Sequence, residues 1–241
     1  MIKTFFFTLL FFIFSLNVNA SPIISGISTN EISIDTSFQG AKILLFGAKG
    51  DAGDIIVSVR GPKKDFIVTR KQKLLGLWYN GTRVNFNNTY SFYSLFSTFN
   101  NNDFNSLLTE LELGKSNINF TTEKPVKEAV KEEFKVELIT DLEKKSLFSD
   151  GASKIDFLDE TLFKIILNFP KNIVRGVYTA EIYLVNNGSL VSFQAIPIYV
   201  NQVGLGAKIL DFAHEQSFLY GLIAVALALI IGWITNFIFT K

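Results

Sequence analysis

From Phe218 to Phe239 the chain carries no charged side chain. At about 1.5 Å of rise per residue, an α-helix of that length reaches the roughly 30 Å of a bilayer's hydrocarbon core. The stretch FLYGLIAVALALIIGWITNFIF therefore predicts one transmembrane helix, over residues 217–239, and every other segment has to be placed relative to a membrane. Tyr220 and Trp233 stand toward its two ends, where aromatic rings favour the interface. The competing reading, a buried helix of a soluble protein, has to explain a run that is rarely so long and uninterrupted outside membranes.

A second apolar run opens the chain, MIKTFFFTLLFFIFSLNVNASP, with a different grammar. One cation at Lys3 precedes a hydrophobic stretch from Phe5 to Leu16, and Val18-Asn19-Ala20 has the compact residues that signal peptidase tolerates. Residues 1–20 read as a signal peptide cleaved after Ala20, with an uncleaved anchor as the other reading. A translocated N-terminus followed by one stop-transfer helix places 21–205 as a periplasmic domain and 206–216 as a juxtamembrane segment. Thr240 and Lys241 alone return to the cytoplasm, too few for any enzyme domain.

The chain has no cysteine. An extracellular eukaryotic domain of this size usually carries disulfides, so this composition points to a bacterial periplasm and an inner-membrane protein. The Asn-x-Ser/Thr triplets at Asn80, Asn119 and Asn187 are then chance matches. A formal net charge of +1 gives no electrostatic case for nucleic acid.

Between the two apolar runs the dominant period is two. In DIIVSVR, Ile55, Val57 and Val59 point one way and Ser58 and Arg60 the other. AKILLFGA and DFIVTRKQ flank it as further strands, and all three are expected to be successive antiparallel strands with GAKGDAGD as a hairpin turn. LLGLWYNGTRVNF and AEIYLVNNGSLVSF each place Asn-Gly between β-rich flanks, a strong hairpin signal. Tyr178, at the start of a strand containing Ala180, Ile182 and Leu184, resembles the tyrosine that begins a late strand in immunoglobulin-like sandwiches. The expected fold is mainly β: an immunoglobulin-like β-sandwich ectodomain with a helical insertion at about 102–148, plus the single C-terminal transmembrane helix. The insertion follows from Leu107, Leu108 and Leu111 before Gly114, and from Val126, Val130, Phe134, Leu138 and Leu142 after Pro125. Its second helix mixes Lys with Glu on the polar face, which suits packing on a sheet better than lying on a membrane.

Catalytic chemistry finds little support. His214 is the sole histidine, so with no cysteine neither a thiol nucleophile nor a multi-histidine metal site can be assembled, and no cofactor is expected. Asp211, His214 and Glu215 share one helical face just before the membrane; a solvated interfacial turn is the plainer account of them than a metal or proton site. Asp51 and Asp54 lack the ligand ladder of a calcium loop, and GAKGDAGD lacks the ending of a phosphate loop.

Two patterns point to binding. Cations (Arg70, Lys71, Lys73, Arg83) interleave with Trp78, Tyr79, Tyr90, Phe92 and Tyr93, a mixture that suits partner interfaces or anionic and sugar ligands, although strand alternation buries about half of such rings. Arg60, Arg70, Trp78, Arg83, Tyr93, Asp211 and His214 are accordingly the candidate partner or ligand contacts. In the predicted span, Ala224, Ala228 and Gly232 recur every four residues and Asn236 extends the stripe, a face on which another helix could pack. A passive anchor carries such small residues too.

The segments FQGAKILLFGA, DIIVSVRGP, GLWYN, SFY, DETLFKIILNFPKNIVRGVYTAEIYLVNNGSLVS and DFAHEQSFLYGLIAVALALIIGW resemble the "putative transmembrane protein" family of alphaproteobacteria, across nearly all of the mature chain. The resemblance implies a cell-membrane protein with a periplasmic domain, no assigned catalytic residues, and a sulfite-exporter-like permease as a partner. Two functions are expected from different classes. One is a non-enzymatic accessory or interaction subunit of a membrane transporter, with membrane lipid and an integral-membrane protein as partners and homo-oligomers allowed; the other is a membrane-tethered periplasmic ligand-binding module.

Overall fold

The computed structural model describes residues 22–98 and 105–239, so the predicted signal peptide and the start of the predicted insertion lie outside the described residues. The chain is mainly β, with one apolar helix near the C-terminus. Strands β1 (Ile23–Ile27), β3 (Ala41–Lys49), β11 (Leu162–Phe169) and β10 (Asp156–Phe157) form a four-stranded sheet in the order β1-β3-β11-β10. A six-stranded sheet follows the order β2 (Glu31–Ile34), β13 (Ser189–Gln202), β12 (Gly176–Asn186), β4 (Asp54–Arg60), β7 (Tyr93–Ser97) and β9 (Phe148–Lys154). Both of its outermost pairings, β2 on β13 and β9 on β7, are parallel. A third sheet holds β5 (Lys63–Leu74), β6 (Leu77–Tyr90) and β8 (Thr121–Thr122).

The strands expected to pair in succession do not. β3, β4 and β5 lie in three different sheets, and GAKGDAGD is an arch carrying the chain from one sheet to another rather than a hairpin turn. Burial supplies the reason: Ile55 to Val59 of β4 are all buried, including Ser58, so this strand needs cover on both faces and a central place. Ile55, Val57 and Val59 lie level with Leu184, Ile182 and Ala180 of β12. This side faces the four-stranded sheet, as the Phe169–Tyr178 contact shows with ring centroids 5.7 Å apart.

One of the two Asn-Gly turns is where the sequence places it. Asn187 (φ 49°) and Gly188 (φ 76°) join β12 to β13, with the positive φ at both central residues that a two-residue hairpin requires. Asn80-Gly81 instead sits inside β6, and the turn falls at Leu75 (φ 50°) and Gly76 (φ 86°). Tyr178 closes a corner at the start of β12. Its hydroxyl donates to the Val174 carbonyl at 2.9 Å and accepts the Val174 N–H at 3.1 Å, while its ring is fully buried beside Phe92 and Phe169.

The insertion is helical as read. α1 (Asn105–Glu110) buries Leu107 and Leu108, and Gly114 follows in a positive-φ conformation. α2 (Glu128–Lys144) buries Phe134, Leu138, Ile139 and Leu142 in the common core, which accounts for its packing on protein rather than on lipid. Two further helices end the chain, α3 (Leu205–Glu215) and α4 (Ser217–Phe239); none of the 23 residues of α4 is buried.

Candidate functional site

Arg60 and Tyr93 stand opposite one another on β4 and β7, on the side of the six-stranded sheet away from the four-stranded one. Both are spent inside the protein. Arg60 Nη2 donates to the Leu111 carbonyl at 2.7 Å, its Nε lies 3.3 Å from Glu181 Oε2, and its guanidinium sits over the Tyr90 ring. Glu181 also accepts the Tyr183 hydroxyl at 2.9 Å. Burial works to discharge the Arg60 guanidinium, but Glu181 together with the hydroxyls of Tyr90, Tyr183 and Tyr93 outweighs it and holds the group above its ordinary value. Burial likewise pushes the Tyr183 hydroxyl up, and the neighbouring carboxylate adds to it. Tyr93 is fully buried and its hydroxyl accepts the Gly114 N–H at 2.6 Å. Together these two residues pin the stretch after α1 to the sheet.

A well-formed opening lies elsewhere, between the two main sheets. It is a cavity of about 720 Å³ where β3 begins and β11 ends above the β7–β9 edge. Its floor is aromatic: Phe92, Phe96, Phe148 and Phe169 line it, with Phe92 and Phe169 stacked at 5.2 Å. Ser94, on the same inward side of β7, contributes a hydroxyl; Glu143 also lines the opening, as do Lys42 and Asn168 from outward-facing positions of β3 and β11. An apolar floor with a few placed polar groups is the usual make-up of a small-molecule site, and the volume falls in the usual range of about 300–1,000 Å³. The cavity's signal in the sequence is the alternation Phe92-x-Ser94-x-Phe96, ordinary for a core strand; that the facing sheet stops short of this edge is a non-local fact.

The other candidates are not gathered into one site. Arg70 pairs with Glu133 and lies over the Phe134 ring of α2. Arg83 is exposed and lines a smaller cleft with Asn85 and Glu123. Trp78 stands near the tip of the β5–β6 hairpin with Lys73 Nζ 5.8 Å from its ring centroid. Asp211 and His214 are exposed on α3, remote in the chain from all of these. Among the described residues no three His, Asp or Glu side chains converge as a cation site. Asp54 Oδ1 instead accepts the Thr98 hydroxyl at 2.8 Å. In α4 the positions Ala224, Ala228, Gly232 and Asn236 lie along one face, and a Cβ built at Gly232 meets nothing within 4 Å.

A mainly β domain followed by one exposed apolar helix defines a single-pass membrane protein; among the described residues that helix, Ser217–Phe239, is the one long and apolar enough to cross a bilayer. The sequence matches the family described as "Putative transmembrane protein", alphaproteobacterial by name, over residues 22–241, and the chain belongs to that family. No curated protein and no solved structure matches it.

Proposed function

We propose that the protein is a non-enzymatic, single-pass protein of the bacterial inner membrane whose β domain lies in the periplasm and serves as a tethered ligand-binding module. The observation that carries this reading is the 720 Å³ cavity floored by Phe92, Phe96, Phe148 and Phe169. A floor of four phenylalanine rings takes an apolar or aromatic body, and the inward Ser94 hydroxyl suits a polar group on it, so the ligand class is a small amphiphile. The Tyr178 corner and the two facing sheets support describing this domain as an immunoglobulin-like sandwich elaborated by the third sheet and α2.

The full-length protein in detergent, screened by thermal shift against small amphiphilic acids and amides, tests the reading. A ligand that raises the midpoint for the native chain, and loses that effect in Ser94→Trp, supports it. If no compound shifts the midpoint, or if Ser94→Trp responds like the native chain, the cavity is not the site.

A second reading, an accessory or interaction subunit of a membrane transporter, draws on α4. That helix shows no buried residue and keeps Ala224, Ala228 and Gly232 on one face, where a neighbouring backbone can approach closely. The sulfite-exporter-like permease implied by the family resemblance belongs to this reading.

A further inference from the structure

The β5–β6 hairpin does not end as a soluble hairpin ordinarily does. Its turn is Leu75-Gly76, and Leu75 holds φ 50° while 96% exposed. A branched apolar residue in the left-handed region costs local energy, and here no burial offsets it. Leu74, Leu77, Trp78 and Tyr79 are exposed beside it, Trp78 by 69%. The collar behind this tip is cationic. Lys71, Lys73 and Arg83 are exposed, none forms an ion pair among the described residues, and the sequence holds no Asp or Glu between Asp65 and Asp103.

The hairpin also leaves the domain at an informative place. β4–β5 and β6–β7 form one continuous ladder, since Arg60 pairs with Tyr93, Lys63 pairs with Tyr90, and Gly61 N–H donates to the Phe92 carbonyl between them. The arm therefore runs on past the end of the six-stranded sheet, by about 40 Å at about 3.3 Å for each of the 12 residues of β5. β13 leaves for the membrane from the same end: Val200 lies opposite Gly176, and a Cβ at Gly176 would meet Pro62 at 2.9 Å. α3, which begins just beyond, itself exposes Ile209.

We propose that the hairpin tip, Leu74 to Tyr79, inserts into the headgroup layer of the membrane that α4 spans, with Lys71, Lys73 and Arg83 resting on anionic lipid phosphates. Leucine and tryptophan at the tip supply the apolar insertion and the ring that favours the interface, and the cations supply the attraction to anionic lipid. The domain then touches its membrane at two points, the anchor and the arm, which fixes its tilt. This inference does not depend on what the cavity holds.

The test uses the full chain carrying Trp233→Phe, so that Trp78 is the one remaining tryptophan, reconstituted in phosphatidylcholine vesicles with and without phosphatidylglycerol. The expected result is Trp78 emission shifted to the blue, quenched by lipids brominated high on the acyl chain and protected from aqueous iodide. Phosphatidylglycerol should deepen that quenching and added salt should reduce it. A Leu75→Asp/Leu77→Asp variant, changed only at exposed positions, should show no lower unfolding midpoint while losing the lipid quenching and regaining the iodide quenching. Red-shifted, iodide-accessible emission that ignores brominated lipid overturns the proposal. Protection from both quenchers overturns it as well, because the tip is then covered by protein, such as a second copy of the chain.

Discussion

Arg60 reaches from β4 to donate its Nη2 hydrogen bond to the Leu111 carbonyl at 2.7 Å, tying the end of α1 to the sheet. Glu181, on the adjacent strand, neutralises it at 3.3 Å. Removing one partner of a mostly buried pair leaves the other charge uncompensated, at a cost of about 3–5 kcal/mol when burial is complete. Here the two side chains retain some solvent access, so Arg60→Met should cost about 2–3 kcal/mol, read as a lower thermal midpoint of the full-length protein. The double variant Arg60→Met/Glu181→Leu should recover most of that loss, because no charge is then stranded. Arg60→Lys should not recover it, since an ammonium cannot serve the carbonyl and the carboxylate in the same geometry.

The corner at Tyr178 gives a pH prediction. Burial, only partly opposed by the Val174 hydrogen bond, pushes this hydroxyl up to about 12 from its ordinary 10. A tyrosine whose folded-state value is raised contributes fully below the unfolded value, and that contribution disappears as pH climbs from 10 towards 12, because the unfolded chain ionises first. The loss amounts to about 2–3 kcal/mol. Unfolding followed by circular dichroism against pH should therefore show a steep alkaline fall above pH 10. Tyr178→Phe should start about 1–2 kcal/mol less stable at neutral pH, having lost both Val174 hydrogen bonds, and should show a shallower fall.

The same two tyrosine and arginine stations show how far the sequence could be read. The turn at Asn187-Gly188 was legible because a two-residue hairpin demands positive φ and those residues accept it. Asn80-Gly81 carries the same signal yet lies inside β6, since the register of the continuous β4–β7 ladder puts the turn at Leu75-Gly76. Helix α2 was legible from its apolar spacing and Pro125. Which sheet each strand joins was not, because both parallel edge pairings and the β3-to-β4 arch depend on partners distant in sequence. Arg60 and Tyr93 read as exposed binding residues for the same reason: Glu181, Leu111 and Gly114, which occupy them, are nowhere near them in the chain. The cavity was hidden likewise, as its four phenylalanines come from β7, β9, β11 and the β6–β7 junction.

Leu75 yields a prediction in which stability and surface contact part company. Asn at that turn position tolerates positive φ far better than Leu, so Leu75→Asn should raise the unfolding midpoint in detergent, by about 0.5–1 kcal/mol of stability. The same variant removes the most exposed apolar side chain at the tip, and should weaken Trp78 quenching by brominated lipid. A variant that is more stable yet less membrane-bound would explain why the strained leucine is present.

The stripe on α4 separates the two functional readings. Ala228→Ile with Gly232→Ile closes the face at which another helix could approach, while leaving the apolar length needed to span unchanged. A Cβ at Gly232 meets nothing within 4 Å among the described residues, so neither the β domain nor its unfolding midpoint should change. Purification of the tagged full-length protein from its native membrane in mild detergent, with mass spectrometry of what accompanies it, reads the consequence. If the protein is an accessory subunit, a multi-span partner accompanies the native chain and is lost from the double variant. If it is a tethered binding module, both forms come alone and both keep whatever ligand response the Phe-lined cavity gives. Loss of the ligand response in the double variant, with no partner found, would contradict both readings, because it would couple the span to the cavity through the chain itself.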